Sequence, residues 1–379
     1  MKTLRDIGPL AGVKVLVRVD FNVPIQNGRV ADDHRIRATL PTIEFLRSRG
    51  ARVILISHLE ASDGSNLSLA PVAEHLKSLG LPVLFVSNLR TAYDLSENEL
   101  ADSQCMLLEN LRLDPGEKAN DQAFAKQLAS LADIFVNDAF SVSHRAHASV
   151  VSVPKYLPSY AGLQFESEVT NLAKAFAPGH PFLFILGGAK FETKLPLLAK
   201  FIASADTVFV GGALANDFFR AKGYEIGQSL LSKNTPELKS FLSSDKLMLP
   251  CDVALADHTI KSPETLAPAE KILDAGPATV SALAAKVAAA HFILWNGPLG
   301  LYEEGFKQPT LDLAKLIGEA TGRGATTVIG GGDTLAAVSE LGTQDQFTFI
   351  SMAGGAMLDF LAQGTLPGIE ALNVSESLS

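Results

Sequence analysis

Cysteine is scarce. Cys105 and Cys251 are the only two in 379 residues, too few to staple a chain of this length, so they read as reduced thiols in a reducing compartment. Long apolar runs are missing as well. The most apolar stretch, around 282–295, is interrupted by Lys286 and His291, and the first residues, MKTLRDIGPLAG, hold no apolar signal core. Membrane spanning and secretion are therefore not expected, and a cytoplasmic location is. Positive charge is in deficit: 32 Lys+Arg against 41 Asp+Glu leave a net −9, which argues against general nucleic-acid binding. Short-period repeats and low-complexity tracts are absent too.

What is present suits buried cores. Hydrophobic residues make up 47%, charged residues only 19%, and there are 21 Phe, which excludes disorder. The length points to two or three domains. The charge is uneven. Residues 1–160 hold 17 Lys+Arg against 18 Asp+Glu, the remainder 15 against 23, and 11 of the 13 arginines precede residue 161. Arginine is the planar, permanently charged fork that suits carboxylates and phosphates. Arg47, Arg49 and Arg52 read as a solvated helix face. Arg18 and Arg112, at the ends of apolar runs, do not.

Short continuous apolar runs read as buried strands: Val13–Val19, Val53–Ser57, Val83–Val86, Cys105–Leu108 and Ile134–Val136, then Phe182–Leu186, Thr207–Val210, Phe292–Trp295, Thr326–Ile329 and Phe347–Ser351. Between them lie stretches of 3.6-residue periodicity such as 35–49, 121–131, 193–203 and 280–290. This alternation, with strands apolar on both faces, predicts an α/β fold with parallel sheets covered by helices. Near residues 150–180 the texture changes. Two prolines in VSVPKYLPSYAG, one amphipathic helix over Leu163–Phe176 and then APGHP read as the exit from one domain and the entry to the next.

In open parallel sheets ligands gather at the carboxyl ends of the strands. After the first strand comes DFNVP, with Asp20 and Asn22, and after the second come Ser57 and His58. ENLR, ending in Arg112, follows the fourth strand. NDAFSVSHRAHAS then concentrates Asn137, Asp138, His144, Arg145 and His147. An Asx turn explains one such end. Four such ends among five strands suggest a cationic pocket for a small phosphorylated acid. No Cys/His spacing suits zinc.

The second half places glycine where strands end: GGAKFETK, GGALAND, GGGDT and MAGGAM. Glycine lets backbone approach a ligand, and the helix N-terminus that follows favours phosphate. Neither a Walker loop nor a dinucleotide fingerprint occurs. Four glycine loops in one domain favour a nucleotide site over structural turns. Lys190 and Lys194, four apart at a helix start, are either surface lysines or partners of an anion. Asp333 is either an N-cap or a Mg²⁺ ligand.

Together DFNVP, SHL, LLENLR, NDAF with HRAH, LGGAK with a second Lys, YEIGQSL, WNGP, IGGGDT and LPGIEAL resemble the phosphoglycerate kinase family in their order, from about residue 4 to about 373. The resemblance implies two doubly wound, Rossmann-like parallel-sheet domains joined by a helical hinge. Residues 1–160 would bind 3-phosphoglycerate or 1,3-bisphosphoglycerate, 161–177 would be the hinge helix, and 178–363 would bind ATP or ADP with Mg²⁺. Residues 364–379 would return to the first domain. It places the acid substrate on Asp20, Phe21, Asn22, Arg35, His58, Arg112 and Arg145, with Arg18 and His144 nearby. Arg35, Lys190 and Lys194 would be catalytic. Lys194, Glu303, Gly331, Gly332, Asp333 and Thr334 would hold the nucleotide, with Asp333 on the metal. A monomer acting on small molecules is expected, with closure about the hinge excluding water.

Three departures from the family pattern stand out. SHLEASDG puts Glu60 and Ala61 where the family has Gly-Arg. GGALAND puts Ala213 at a glycine place, and SMAGGAM puts Met352 and Ala353 beside the expected phosphates. They motivate two competing readings, a related kinase for another acid and a nucleotide-binding paralogue without catalysis. A dehydrogenase is a third.

Overall fold

The computed structural model describes residues 1–98, 105–189, 191–233 and 238–374. Its chain divides into two compact units, Met1–Thr170 with the segment from Gln363 onward, and Asn171–Ala362. The division falls inside the helix Leu163–Ala173, which ends in a 3₁₀ turn over Lys174–Phe176.

In the first unit six parallel strands form one sheet in the order Val83–Val86, Cys105–Leu108, Arg52–Ile56, Lys14–Arg18, Ile134–Asn137 and Ser159–Ala161. The central strands are apolar on both faces because helices cover both. Their side chains, with those of the helices His34–Arg47 and Ala70–Ser78, make the core, which includes Val15, Val17, Val53, Leu55, Ile43 and Leu76. The helix Pro367–Val374 packs on residues 143–155 of this unit. Gly368 donates its N–H to Ser143 O at 2.9 Å, and a Cβ there would lie 2.6 Å from the Ser143 side chain.

The second unit holds a parallel sheet in the order Leu247–Met248, Thr207–Val210, Phe182–Leu186, Phe292–Asn296, Thr326–Gly330 and Phe349–Ser351. A separate three-stranded antiparallel sheet, Val253–Leu255, Ile260–Lys261 and Ile272–Ala275, stands beside it with its own small core around Phe219, Val253 and Leu266. The ten strands expected from apolar runs all form, with ends shifted by two residues at most. Ser159–Ala161, Leu247–Met248 and the antiparallel sheet were not expected, because their strands are two or three residues long or, as in Ile272–Ala275, interrupted by a charged residue.

Candidate functional site

Because the strands Arg52–Ile56, Lys14–Arg18 and Ile134–Asn137 are neighbours, their carboxyl ends bring the polar residues of the first unit together. Asp20 Oδ1 accepts from Asn22 N at 3.1 Å, and its Oδ2 accepts from Arg35 Nη1 at 2.9 Å and from the Ser141 hydroxyl. Arg35 also donates to Asn22 O at 3.3 Å. A side chain that is one-third exposed is thus aimed by two fixed acceptors. Phe21 is placed differently: its ring is fully buried in the core, and only its backbone N–H, bonded to Ser57 Oγ at 2.9 Å, borders the site.

His58 is buried and meets Arg18 Nη2 through Nδ1 at 3.1 Å. A guanidinium can only donate, so Nδ1 accepts and the ring proton sits on Nε2. Burial first, and then Arg18, Arg112, Arg145 and Arg35, hold the His58 pKa well below normal. His58 is therefore a neutral donor at working pH. Half-buried His147 is pushed down to about 4, by burial and then by Arg112, Arg145 and Arg18.

Arg18 is wholly buried. Its Nε donates to Ser149 Oγ at 2.9 Å and its Nη1 to Val19 O at 2.5 Å. Ser149 in turn donates through Oγ (2.6 Å) and N (2.9 Å) to the two carboxylate oxygens of fully buried Glu117. This serine-bridged pair lies beneath the site and orients His58. Glu117 was not singled out from sequence. Its only local signal is the Asp114-Pro115 helix start, where Asp114 Oδ1 accepts Gly116 N at 2.8 Å.

Arg112 has a side chain only 1% exposed. It is ion-paired to Glu60, while its Nε and Nη2 have no hydrogen-bond partner among the described residues. Arg145 is exposed, with Nε 3.3 Å from His144 Nε2. Two polar groups of the 137–147 segment turn inward. Asn137 ties its own loop to Ser143, and Asp138 Oδ1 caps the helix Leu163–Ala173 by accepting from Gln164 N (2.9 Å) and Phe165 N (3.2 Å). Burial raises the Asp138 pKa to about 7.

In the second unit the glycine loops meet backbone to backbone. Gly187 N donates to Asn296 O at 2.8 Å and Gly188 N to Pro298 O at 2.7 Å. Gly297 has φ 94°, and a Cβ there would lie 2.4 Å from Gly187 O. No other residue fits that position. Lys194, on the helix Phe191–Ser204 and 9% exposed, donates from Nζ to Gly187 O. Lys190 lies outside the described residues. Gly331, at φ 102°, precedes the helix Gly332–Leu341. Thr334 is buried and accepts Gly297 N at 2.9 Å, which leaves the first-turn N–H groups and exposed Asp333 as the features it presents.

These loops border a cavity of about 650 Å³, lined among others by Gly188, Gly212, Leu273, Asp274, Glu303 and Asp333. Glu303 sits on a 3₁₀ turn fixed by Tyr302, whose hydroxyl donates to Glu340 at 2.6 Å. Ala213 takes φ −64°, an ordinary helical conformation, so the missing glycine costs no strain there. Ala353 is buried beside the strand end.

Asp274, also unanticipated, lines this cavity with its carboxyl against Gly300. Burial pushes its pKa up to about 8. The unfolded group titrates near 4, so stability present at low pH is lost as pH rises toward about 8. Asp274→Asn should therefore raise Tm relative to the parent by a larger margin at pH 9 than at pH 5. Equal Tm differences at the two pH values would show that Asp274 ionises freely.

No group of three or more His, Cys, Asp or Glu suited to a metal occurs among the described residues. A lone exposed carboxylate at a glycine-led helix start, as Asp333 is, fits Mg²⁺, which is commonly held by one or two carboxylates, phosphates and water. Among the described residues Asp333 forms no ion pair. No helix there is long and apolar enough to cross a membrane.

Comparison with known proteins adds the following. The family model described as phosphoglycerate kinase matches residues 4–364. The phosphoglycerate kinase of Azorhizobium caulinodans is 42% identical, over 98% of this chain and 100% of that one. That of Moorella thermoacetica is 42% identical over 98% of each. Among solved structures, phosphoglycerate kinase from Coxiella burnetii superposes with TM-score 0.85 at 37% identity over 98% of each chain. The enzyme from Pyrococcus horikoshii gives 0.86 at 28% over the whole of both.

Proposed function

The chain belongs to the phosphoglycerate kinase family, and from that premise we propose how its own residues carry out reversible phosphoryl transfer between 1,3-bisphosphoglycerate and ADP. The observation that carries the reading is Arg112, a buried guanidinium whose Nε and Nη2 find no hydrogen-bond partner among the described residues. Burying such a charge is costly unless an anion completes its hydrogen bonds. Arg112, Arg145 and Arg35 bind the phosphate and carboxylate groups of the acid substrate. Asn22 and His58 orient it. The nucleotide occupies the cavity of the second unit, its ribose on Glu303 and its phosphates on the helix N-terminus at Gly331, Gly332, Asp333 and Thr334.

Phosphoryl transfer needs positioning and charge more than covalent work. Arg35 and Lys194 neutralise charge on the transferring group. The attacking ADP oxygen is already an anion, so no general base and no covalent intermediate are required. Asp333 would hold Mg²⁺, which when bound offsets phosphate charge. The binding-only paralogue has no support in the comparisons. A monomer suffices, since one chain supplies both half-sites, and the cytoplasm fits the scarcity of cysteine.

A coupled assay with 3-phosphoglycerate and Mg-ATP tests this. Turnover should vanish with EDTA and return with Mg²⁺. Asp333→Asn should raise the Mg²⁺ concentration needed for half-maximal rate by about tenfold or more. Nucleotide binding without turnover in the parent protein would overturn the assignment, and an unchanged Mg²⁺ requirement in the variant would move the metal elsewhere.

A further inference from the structure

Glu60 stands where the cations of the first unit gather. One carboxylate oxygen is on Arg112 Nη1, and the other is 2.7 Å from Lys118 Nζ. It is held in place from both sides. Its N–H donates to Asn22 Oδ1 at 2.9 Å, and it bridges to Asn66, whose Nδ2 donates to Arg112 O at 2.7 Å. The turn beyond it is closed by Ala61 N to Ser65 O at 2.8 Å and by Asp63 accepting from Ser65 N at 2.9 Å. The scaffold that fixes the Arg112 backbone therefore also fixes the glutamate against it.

Among the described residues, Arg112 is thus a buried cation of the site whose counter-charge comes from a loop at the rim. Arg18 has its own deep partner in Glu117, through Ser149. Glu60 is about one-fifth exposed, and Lys118 beside it about half exposed. If Arg112 were engaged by another anion, Glu60 would keep a cation at the solvent edge. Burial raises its pKa, but Lys118 and Arg112 outweigh that and hold it below the usual carboxylate range, so it is ionised at neutral pH.

We propose that Glu60 is an internal competing anion, which occupies Arg112 until the phosphate or carboxylate of the acid substrate displaces it onto Lys118. It thereby lowers the affinity of this half-site for the acid substrate. This rests on the reading that Arg112 binds the acid substrate. The exchange goes forward because the substrate group can pair with Arg112 Nε and Nη2 as well, while Glu60 keeps Lys118.

Glu60→Gln in the full chain tests it. Calorimetric Kd and steady-state KM for 3-phosphoglycerate should fall by about three- to tenfold, while the ATP KM, as a control on the other unit, should move by less than twofold. Competitive inhibition by acetate at Arg112 should strengthen in the same variant. Glu60→Asp keeps the charge but draws it a methylene away, and should give a smaller gain. It carries the test if the glutamine variant folds poorly. An unchanged or weaker affinity in a folded variant overturns the proposal. Arg112→Met separates the two failures. If it leaves the 3-phosphoglycerate KM unchanged, the underlying reading of the site fails. If it raises KM by tenfold or more while Glu60→Gln lowers nothing, only the competing role of Glu60 fails.

Discussion

Lys194→Met should lose a hundredfold or more in kcat while ATP binding weakens only a few-fold. Lys194 is nearly buried, four residues into the helix Phe191–Ser204, and its ammonium is drawn to Gly187 O, where three glycine loops touch. An ammonium at a helix start opposes the dipole and gains from an anionic partner. Methionine keeps most of the apolar stem, so packing survives and the charge alone is removed. A group that acts chiefly on the transition state lowers kcat and kcat/KM together. Losing one preorganised charge in such a site costs on the order of 3 kcal/mol, which is the hundredfold. Steady-state rates, with Tm as the check on folding, decide it. A kcat within threefold of the parent would remove Lys194 from the chemistry.

Glu117→Gln should be the most destabilising single change in the first unit. Glu117 is fully buried, and through Ser149 it balances Arg18, equally buried. Burial depresses the Arg18 pKa, with Glu117 opposing that shift, yet an arginine does not give up its proton within a working pH range. Removing the carboxylate charge therefore leaves an uncompensated buried cation, at a cost of about 3–5 kcal/mol. For a domain of this size that is a fall in Tm of about 6–20 °C. Calorimetry should show the first unit melting ahead of the second, since two units need not unfold as one. Arg18 also holds His58 Nδ1, so 3-phosphoglycerate KM should rise in the same variant. A Tm within 2 °C of the parent would mean that Arg18 finds its counter-charge elsewhere.

The alternation of parallel strands and helices was legible in the residues, because it rests on local pattern. Leu183–Leu186 or Val53–Ile56 are apolar at every position only if both faces of a sheet are covered. The motif residues were legible for a related reason: they follow strand ends directly. Asp20, His58, Arg112 and Asp333 stand out by the rule that ligands gather at carboxyl ends, while the role given to each comes from the family resemblance.

The partners of those residues were not legible. Glu60 meets Lys118 across 58 positions, and Arg18 meets Ser149 across 131. Asp138 looked like a ligand group beside Arg145, but tertiary packing turned it under the helix Leu163–Ala173 as a cap. Asp274 reads as an ordinary polar residue in ILDAG until the antiparallel sheet buries it against Gly300. Periodicity and strand ends are set by neighbours in the chain, which a sequence displays. Desolvation and charge pairing are set by whatever the fold brings within a few ångströms, and only the packed structure decides which carboxylates are buried, which arginines are already paired, and which keep donors for a substrate.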